Sequence, residues 1–145
     1  MDAGLIMTDF RRYDDVDVGD VYPTEPLVFN VSAEVVDGFL MATGNGGSLY
    51  QASQGTRRAP SMIASVYLID LLMARRSPPG GIHAKQSIRF HAPIHIGEKL
   101  KIQGRVVDKY IRKDRPYIVS DFEVRTSKGV IVATGRITSI WGKDL

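Results

Sequence analysis

Apolar residues recur at helical spacing in two stretches of the chain. The first predicted helix runs from residue 33 to about residue 43, with Val35, Val36, Phe39 and Leu40 on its apolar face. Ser32 is placed to cap this helix, because a serine hydroxyl can accept from the free N–H groups of a first turn, and Gly44 supplies a stop. Ser61 is placed in the same way before a second predicted helix, which runs to about residue 76.

The second predicted helix is apolar on every side rather than along one stripe. Its apolar residues are Met62, Ile63, Val66, Leu68, Ile69, Leu71, Leu72 and Met73. This pattern is typical of a helix surrounded by protein.

After Gly80 and Gly81 the apolar period changes to two, which is typical of strands. One alternating set is Ile82, Ala84, Gln86, Ile88 and Phe90. The other set is predicted to share the opposite face: His83, Lys85, Ser87, Arg89 and His91. Further strands are predicted at about 99–112, 117–126 and 130–141, with turns at 113–116 and 127–129, and a first strand ends the stretch 14–31.

This order of elements predicts an α+β fold. One buried helix followed by long antiparallel strands fits a hot-dog arrangement, in which a curved antiparallel sheet wraps around a central helix, here at about 61–76. With 145 residues, 43% of them hydrophobic, the chain fits a single domain over 1–145. A single curved sheet leaves edges and covers one side of the helix, so we expect dimerisation.

Charge and composition exclude several classes of function. The net charge is only +3 and the basic residues are scattered, so we expect no nucleic-acid partner. There is no cysteine, which excludes disulfides, thiolate metal sites and a cysteine nucleophile. Because the first residues do not read as a signal peptide and no apolar run is long enough to span a membrane, we expect a cytoplasmic protein without a membrane partner.

Two segments of the chain are similar to segments of one enzyme family. The stretch 88–100, Ile-Arg-Phe-His-Ala-Pro-Ile-His-Ile-Gly-Glu-Lys-Leu, is similar to the strand, proline turn and Gly-Asp-x-Leu segment of the MaoC-like hydratases and dehydratases, a family that includes the N-terminal half of the fatty-acid-synthase dehydratase. Residues 130–135, Val-Ile-Val-Ala-Thr-Gly, resemble its last hairpin. The resemblance covers most of the chain and implies a hot-dog fold acting on an acyl thioester of coenzyme A or an acyl-carrier protein.

The family's catalytic signature is altered in this chain. Where the family has Gly-Asp-x-Asn-Pro-Leu-His, residues 44–50 read Gly-Asn-Gly-Gly-Ser-Leu-Tyr. The resemblance therefore puts Asn45 at the position of the catalytic aspartate and Tyr50 at that of the histidine. In the family these two residues orient a water and transfer its proton; an amide cannot be a base, and an ordinary tyrosine is a poor one near neutral pH.

Further residues complete the predicted site. His83 could supply the missing base, since an imidazole titrates near neutral pH, although a histidine that only faces solvent is an open alternative. Ser61 and the N–H groups after it, including that of Met62, could hold a thioester carbonyl at the positive end of the central helix. We also expect Gly47 and Ser48 to bind substrate, and Arg89 is a candidate for phosphate contacts. Two alternatives, a phosphate contact or a solvated surface charge, are open for four other arginines: Arg57, Arg58, Arg75 and Arg76.

No cofactor or metal is predicted, because the chain lacks HExxH, GxGxxG and P-loop patterns. Three functions remain open from the sequence. The chain could be a hydro-lyase acting on a 2-enoyl thioester, or a non-catalytic subunit of a heteromer whose hot-dog partner carries the Asp and His. It could also be a hot-dog thioesterase, with Asn45 or Gln51 positioning a water.

Overall fold

A computed structural model describes residues 9–44 and 57–143. In this part of the chain there are two α-helices, α1 (Ala33–Thr43) and α2 (Ala64–Ala74), and a 3₁₀ turn, Ser61–Ile63, leads directly into α2. The strands are β1 (Val21–Asn30), β2 (Arg58–Ala59), β3 (Ile82–Phe90), β4 (Ile94–His95), β5 (Lys99–Arg112), β6 (Arg115–Thr126) and β7 (Ile131–Ile140). Neither helix is long and apolar enough to cross a membrane.

Five strands form one antiparallel sheet in the order β1-β5-β6-β7-β3, and β2 pairs with β4 in a separate two-stranded ribbon. The central helix α2 packs on the inner face of the sheet against β1 and β5. Its sheet-facing side is buried with inward residues of the long strands. The core is built from Ile63, Tyr67, Leu71, Leu100, Ile102, Ile118, Phe122, Val124 and Ile137. The predicted α+β arrangement is confirmed.

Helix α1 begins and ends where its sequence predicts. The Ser32 hydroxyl accepts from the backbone N–H of Val35 at 3.1 Å, which satisfies one of the free donors of the first turn. Gly44 follows the last turn with φ of 68°, a left-handed conformation that costs glycine little.

The start of the central helix differs from the prediction that Ser61 caps it. The residue in the capping position is Pro60, and no side chain caps the turn that follows. Ser61 is instead the first residue inside the turn, because the missing N–H and fixed φ of proline suit the position before it.

A bulge in β3 changes which residues share its faces. His83 pairs with Ser139, whereas Lys85 pairs with Thr138, so Ala84 has no partner in the ladder. Directly paired residues of an antiparallel sheet point to the same side, and Ser139 is buried on the inner face. The prediction that His83 shares a face with Lys85, Ser87 and Arg89 is therefore wrong. His83 lies on the inner face with Gln86, Ile88 and Phe90.

The two hairpin turns also differ from each other. The turn between β5 and β6 consists of Lys113 and Asp114 alone, since Arg112 already pairs with Arg115. It is shorter than the predicted turn at 113–116. Between β6 and β7, Gly129 adopts φ of 83°, and its N–H donates to the Thr126 carbonyl at 2.9 Å.

Candidate active site

The β2–β4 ribbon holds the start of the central helix in place. Ala59 pairs with Ile94 and both side chains are buried, while Arg58 pairs with His95 on the other side of the ribbon. Ala59 is followed by Pro60 and then by the first turn of the helix. The position of this turn is thus set by two buried contacts directly before it.

The first turn of the central helix presents unused donors. The N–H of Ile63 bonds to the Pro60 carbonyl at 3.0 Å, whereas the N–H groups of Ser61 and Met62 have no partner among the described residues. The Ser61 hydroxyl makes no cap bond and is partly exposed. Two amides, a hydroxyl and the positive end of a helix can together hold an oxygen that gains negative charge.

Four of the predicted site residues lie outside the described residues: Asn45, Gly47, Ser48 and Tyr50. The same is true of Gln51. The described residues on either side are Gly44, at the end of α1, and Arg57, whose carbonyl accepts from the Ile96 N–H at 2.8 Å. The roles expected for the residues between them remain predictions.

His83 lies far from Ser61 within one chain. Its pairing partner Ser139 bonds to Arg75, directly after the last residue of α2, whereas Ser61 lies at the other end of the helix. At about 1.5 Å per residue, these two ends are roughly 20 Å apart. A single chain therefore does not bring His83 and Ser61 together. Arg89 is exposed on the outer face opposite Thr134, so it does not join His83 either.

Two residue pairs near the site involve the other histidines. His91 Nε2 lies 2.8 Å from Thr134 Oγ1. His95 Nδ1 lies 3.1 Å from Glu98 Oε1, a pair that was not predicted although its spacing of three residues in a turn is visible in the sequence. In the described part of the chain, no three His, Asp or Glu side chains come together as a metal site requires.

Arg75 is not a solvated surface arginine, so that prediction is wrong for this residue. Its side chain is buried at the end of α2, where the guanidinium lies over the Trp141 ring. Arg76 is exposed and pairs with Asp9, while Arg57 pairs with Asp37 and Arg58 is exposed.

The central helix keeps an apolar stripe on the side away from the sheet. The stripe consists of Met62, Val66, Ile69 and Met73, of which Ile69 is 56% and Met73 is 72% exposed. The same helix buries Tyr67, whose ring lies edge-on to Phe29 at 5.6 Å and whose pKa is raised by burial. The prediction that this helix is apolar on every side is confirmed. Within one chain, however, only the side that faces the sheet is buried.

The inner face of β3 is open as well. This strand is an edge of the sheet, with β7 on one side only, and Gln86 on its inner face is exposed. Its Phe90 end leads through three residues to β4 and so lies at the Ser61 end of the helix. Its His83 end lies at the Arg75 end.

The five-stranded sheet with its packed helix matches solved structures over nearly the whole chain. The R-hydratase PhaJ1 from Pseudomonas aeruginosa has a TM-score of 0.78 at 19% identity, and the match covers 91% of this chain and 86% of that chain. The chain has the hot-dog fold. The fold expected from the sequence is thereby confirmed.

Other hot-dog neighbours are dehydratases. A MaoC-like dehydratase from Rhodospirillum rubrum has a TM-score of 0.69 at 17% identity, covering 91% of this chain and 97% of that one. The HadBC 3R-hydroxyacyl-ACP dehydratase complex from Mycobacterium tuberculosis has a TM-score of 0.72 at 18% identity, covering 88% and 98%. The hot-dog neighbours thus include MaoC-like enzymes, R-hydratases and an assembly of two kinds of chain.

Sequence comparison gives a likeness to a dehydratase over part of the chain. The chain is 26% identical over 103 residues to a 3-hydroxybutyryl-CoA dehydratase from Methylorubrum extorquens. The match spans 66% of this chain and 64% of that protein, which is less than two thirds of its length. No protein-family model matches the chain.

Proposed function

We propose that this hot-dog protein is a hydro-lyase that adds water to, or removes it from, a 2-enoyl thioester of coenzyme A or an acyl-carrier protein. The observation that carries the proposal is made in the 3₁₀ turn Ser61–Ile63, which leads into α2. There the Ser61 hydroxyl and the N–H groups of Ser61 and Met62 have no partner in the described part of the chain. The similarity in fold to an R-hydratase supports the same function.

The reaction requires two things of the protein. The thioester carbonyl oxygen gains negative charge as water attacks the β carbon, and donors at the start of a helix stabilise that charge. A base must also take one proton from the water while the hydroxyl bonds to the β carbon, and a proton is then delivered to the α carbon. The 3-hydroxyacyl product contains all the atoms of enoyl thioester and water.

Asn45 and Tyr50 are assigned positioning roles in this proposal. An amide and a neutral phenol can orient a water or a carbonyl by hydrogen bonds, but neither is a base near neutral pH. Gly47 and Ser48 belong to the same segment and are assigned to substrate binding. The base is assigned to His83, and Arg89 to the phosphates of the carrier.

Dimerisation through β3 would bring His83 to the donors. An antiparallel pairing of two β3 strands places the start of one strand beside the end of the other, with both inner faces on the same side. The partner's His83 then lies at the Phe90 end of this chain's β3, which is the Ser61 end of the helix. Such a dimer would also face the open inner side of β3 and the apolar stripe toward the second copy.

The activity is tested with crotonyl-CoA and longer 2-enoyl-CoA substrates. We expect loss of the enoyl absorbance in wild type and a fall of about tenfold to a thousandfold in kcat for Ser61→Ala. Ser65→Ala is the matched control, because Ser65 lies one turn later and bonds only to the Met62 carbonyl, at 2.9 Å. Absence of turnover at every chain length with folded protein would exclude the proposal, and release of free thiol with unchanged enoyl absorbance would identify a thioesterase instead.

The shared site is tested by mixing two variants. If each site combines Ser61 of one copy with His83 of the other, Ser61→Ala and His83→Gln dimers are both impaired. Random exchange of subunits then restores about a quarter of the wild-type activity, because half of the dimers contain one intact site of two. Mixing either variant with the doubly substituted chain is the control and restores nothing. A monomer at assay concentration, or no recovery on mixing, would rule out the shared site.

A further inference from the structure

A buried polar cluster lies at the Arg75 end of the central helix, opposite to the Ser61 turn of the same chain and beside Ser139, the pairing partner of His83. Arg75 Nη1 donates to Ser139 Oγ at 2.7 Å, and Arg75 Nε lies 3.4 Å from the Leu72 carbonyl oxygen. The guanidinium carbon stands 5.4 Å from the centre of the Trp141 ring. The end of its own helix and the end of β7 with Trp141 therefore hold this side chain in one position.

The charge of Arg75 is not balanced by an opposite charge in the described part of the chain. Among the described residues no carboxylate lies within ion-pair distance of Arg75, whereas Arg76 and Arg11 are paired with Asp9 and Asp20. Only 9% of Arg75 is exposed, and burial lowers the pKa of its guanidinium. A buried cation without a counter-charge is costly, so a site of this kind favours an anion.

Two hydroxyl groups in the same cluster are also without partners. Tyr22 and Ser120 are 4% and 1% exposed, and neither hydroxyl has a hydrogen-bond partner in the described part of the chain. Burial raises the pKa of Tyr22, while the nearby Ser120 hydroxyl and the Arg75 charge oppose that shift. The Tyr22 hydroxyl therefore lies near Ser120 and near the charge of Arg75, and no hydrogen bond among the described residues satisfies either hydroxyl.

The cluster borders an open cleft. A cleft of about 710 Å³ is lined by Tyr22, by Arg11 and Asp20, and by Ala74 and Arg76, the residues on either side of Arg75. Arg11 is bonded to Asp20 at 2.7 Å, so that carboxylate is already paired. The cleft therefore shares Tyr22 with the cluster and is lined by the two chain neighbours of Arg75.

We propose that Arg75, Tyr22 and Ser120 form a binding site for a small carboxylate, distinct from the donors of the Ser61 turn. The free nitrogen of the guanidinium and the two hydroxyls offer donors to both oxygens of a carboxylate, and hydrogen bonds to a charged group are stronger than neutral ones. The Trp141 ring supplies an apolar wall on the guanidinium. The ligand class is a short aliphatic carboxylate, which brings the missing negative charge into the cluster.

The site is tested by thermal unfolding of the full chain in formate, acetate, propionate and succinate, with sodium chloride at equal ionic strength as the reference. We expect a saturable rise in Tm with at least one carboxylate. Tyr22→Phe and Ser120→Ala are each expected to weaken that response about tenfold or more in ligand concentration. Arg75→Met should abolish it, and if that variant does not fold, the two milder variants still decide.

Tyr67→Phe is the matched control, because Tyr67 is also buried and its hydroxyl also lacks a partner among the described residues, but it lies in the middle of the helix. Its response to carboxylates should equal that of wild type. Three results would overturn the proposal: no saturable response to any carboxylate, an equal response to chloride, or equal loss in Tyr22→Phe and Tyr67→Phe. A fourth combination of results would indicate that the cluster holds a buried water instead. In that case carboxylates have no effect on wild type, and Tyr22→Phe is more stable than wild type.

Discussion

Gly104 lies directly opposite Tyr22 in the β1–β5 pair, and the tyrosine ring fills the space above the glycine. A Cβ placed on Gly104 would stand 2.6 Å from Tyr22 Cζ and 3.0 Å from the hydroxyl oxygen. The glycine is thus required by a close approach and not by its backbone conformation.

Replacing this glycine should force the tyrosine to move. Gly104→Ala is expected to lower the free energy of unfolding by about 1–3 kcal/mol, because a packed aromatic ring must shift to admit the methyl group. Gly38→Ala serves as the control. Gly38 lies inside α1 with nothing within 4 Å of an added methyl group, so alanine should raise the free energy of unfolding by about 0.5–1 kcal/mol. Equal effects of the two substitutions in urea denaturation would contradict the packing argument.

The turn between β5 and β6 can be improved. Lys113 and Asp114 both have positive φ, 50° and 61°, as a two-residue turn with this twist requires. Asn and Gly adopt this conformation more easily, so Lys113→Asn with Asp114→Gly should stabilise the protein by about 1 kcal/mol. In the other hairpin, Gly129→Ala should have the opposite sign, since Gly129 already has φ of 83°. Chemical denaturation of both variants checks the prediction, and a loss of stability in the first would refute it.

The two helix-start serines should respond differently to alanine. Ser32→Ala removes the bond to the Val35 N–H and should reduce the free energy of unfolding by about 1 kcal/mol. Ser61→Ala removes no cap bond, so its stability should stay within about 0.5 kcal/mol of wild type. Thermal or urea unfolding measures both. A large stability loss in Ser61→Ala would mean that its effect on turnover could not be assigned to the site.

Asp20 should contribute to the acid sensitivity of the fold. Its pKa is lowered by the hydrogen bond from the Asp17 N–H and by the Arg11 guanidinium. Because the unfolded chain binds the proton more readily, this contribution is fully present above the ordinary aspartate pKa of about 4 and is lost as the pH falls through the lowered value. Asp20→Asn should therefore flatten the pH dependence of the unfolding free energy below about pH 4. Arg11→Met should flatten it in part, and an unchanged slope in both variants would contradict the assignment.

The spacing of apolar residues predicted most of the fold, because this spacing depends only on residues close together in the chain. The apolar spacing of α1, together with Ser32 and Gly44, defined both ends of that helix, and the change of period after Gly81 located β3. The strands at 99–112 and 117–126 followed in the same way, with ends within two residues of those observed. The all-round apolar surface of residues 61–76 indicated a central helix because burial requires it.

The parts that sequence reasoning missed depend on contacts distant in the chain. Arg75 follows its helix as many solvated arginines do, and only Ser139 and Trp141 show that it is buried. Ser61 has the residue type of a cap, but Pro60 occupies that position. The pairing of β2 with β4 involves two residues in each strand, which is too short for any period to show.

The bulge at Ala84 divides β3 into two segments with opposite alternation. Side chains alternate regularly on each side of the bulge, but the extra residue reverses the alternation. Counting back from Phe90 as in a regular strand therefore assigns His83 to the outer face, although it lies on the inner face. Deleting Ala84 would merge the two segments into one regular alternation, in which His83 directly precedes Lys85 and keeps its place opposite Ser139 on the inner face. One inserted residue therefore explains why this imidazole, two positions before an outward lysine, faces inward.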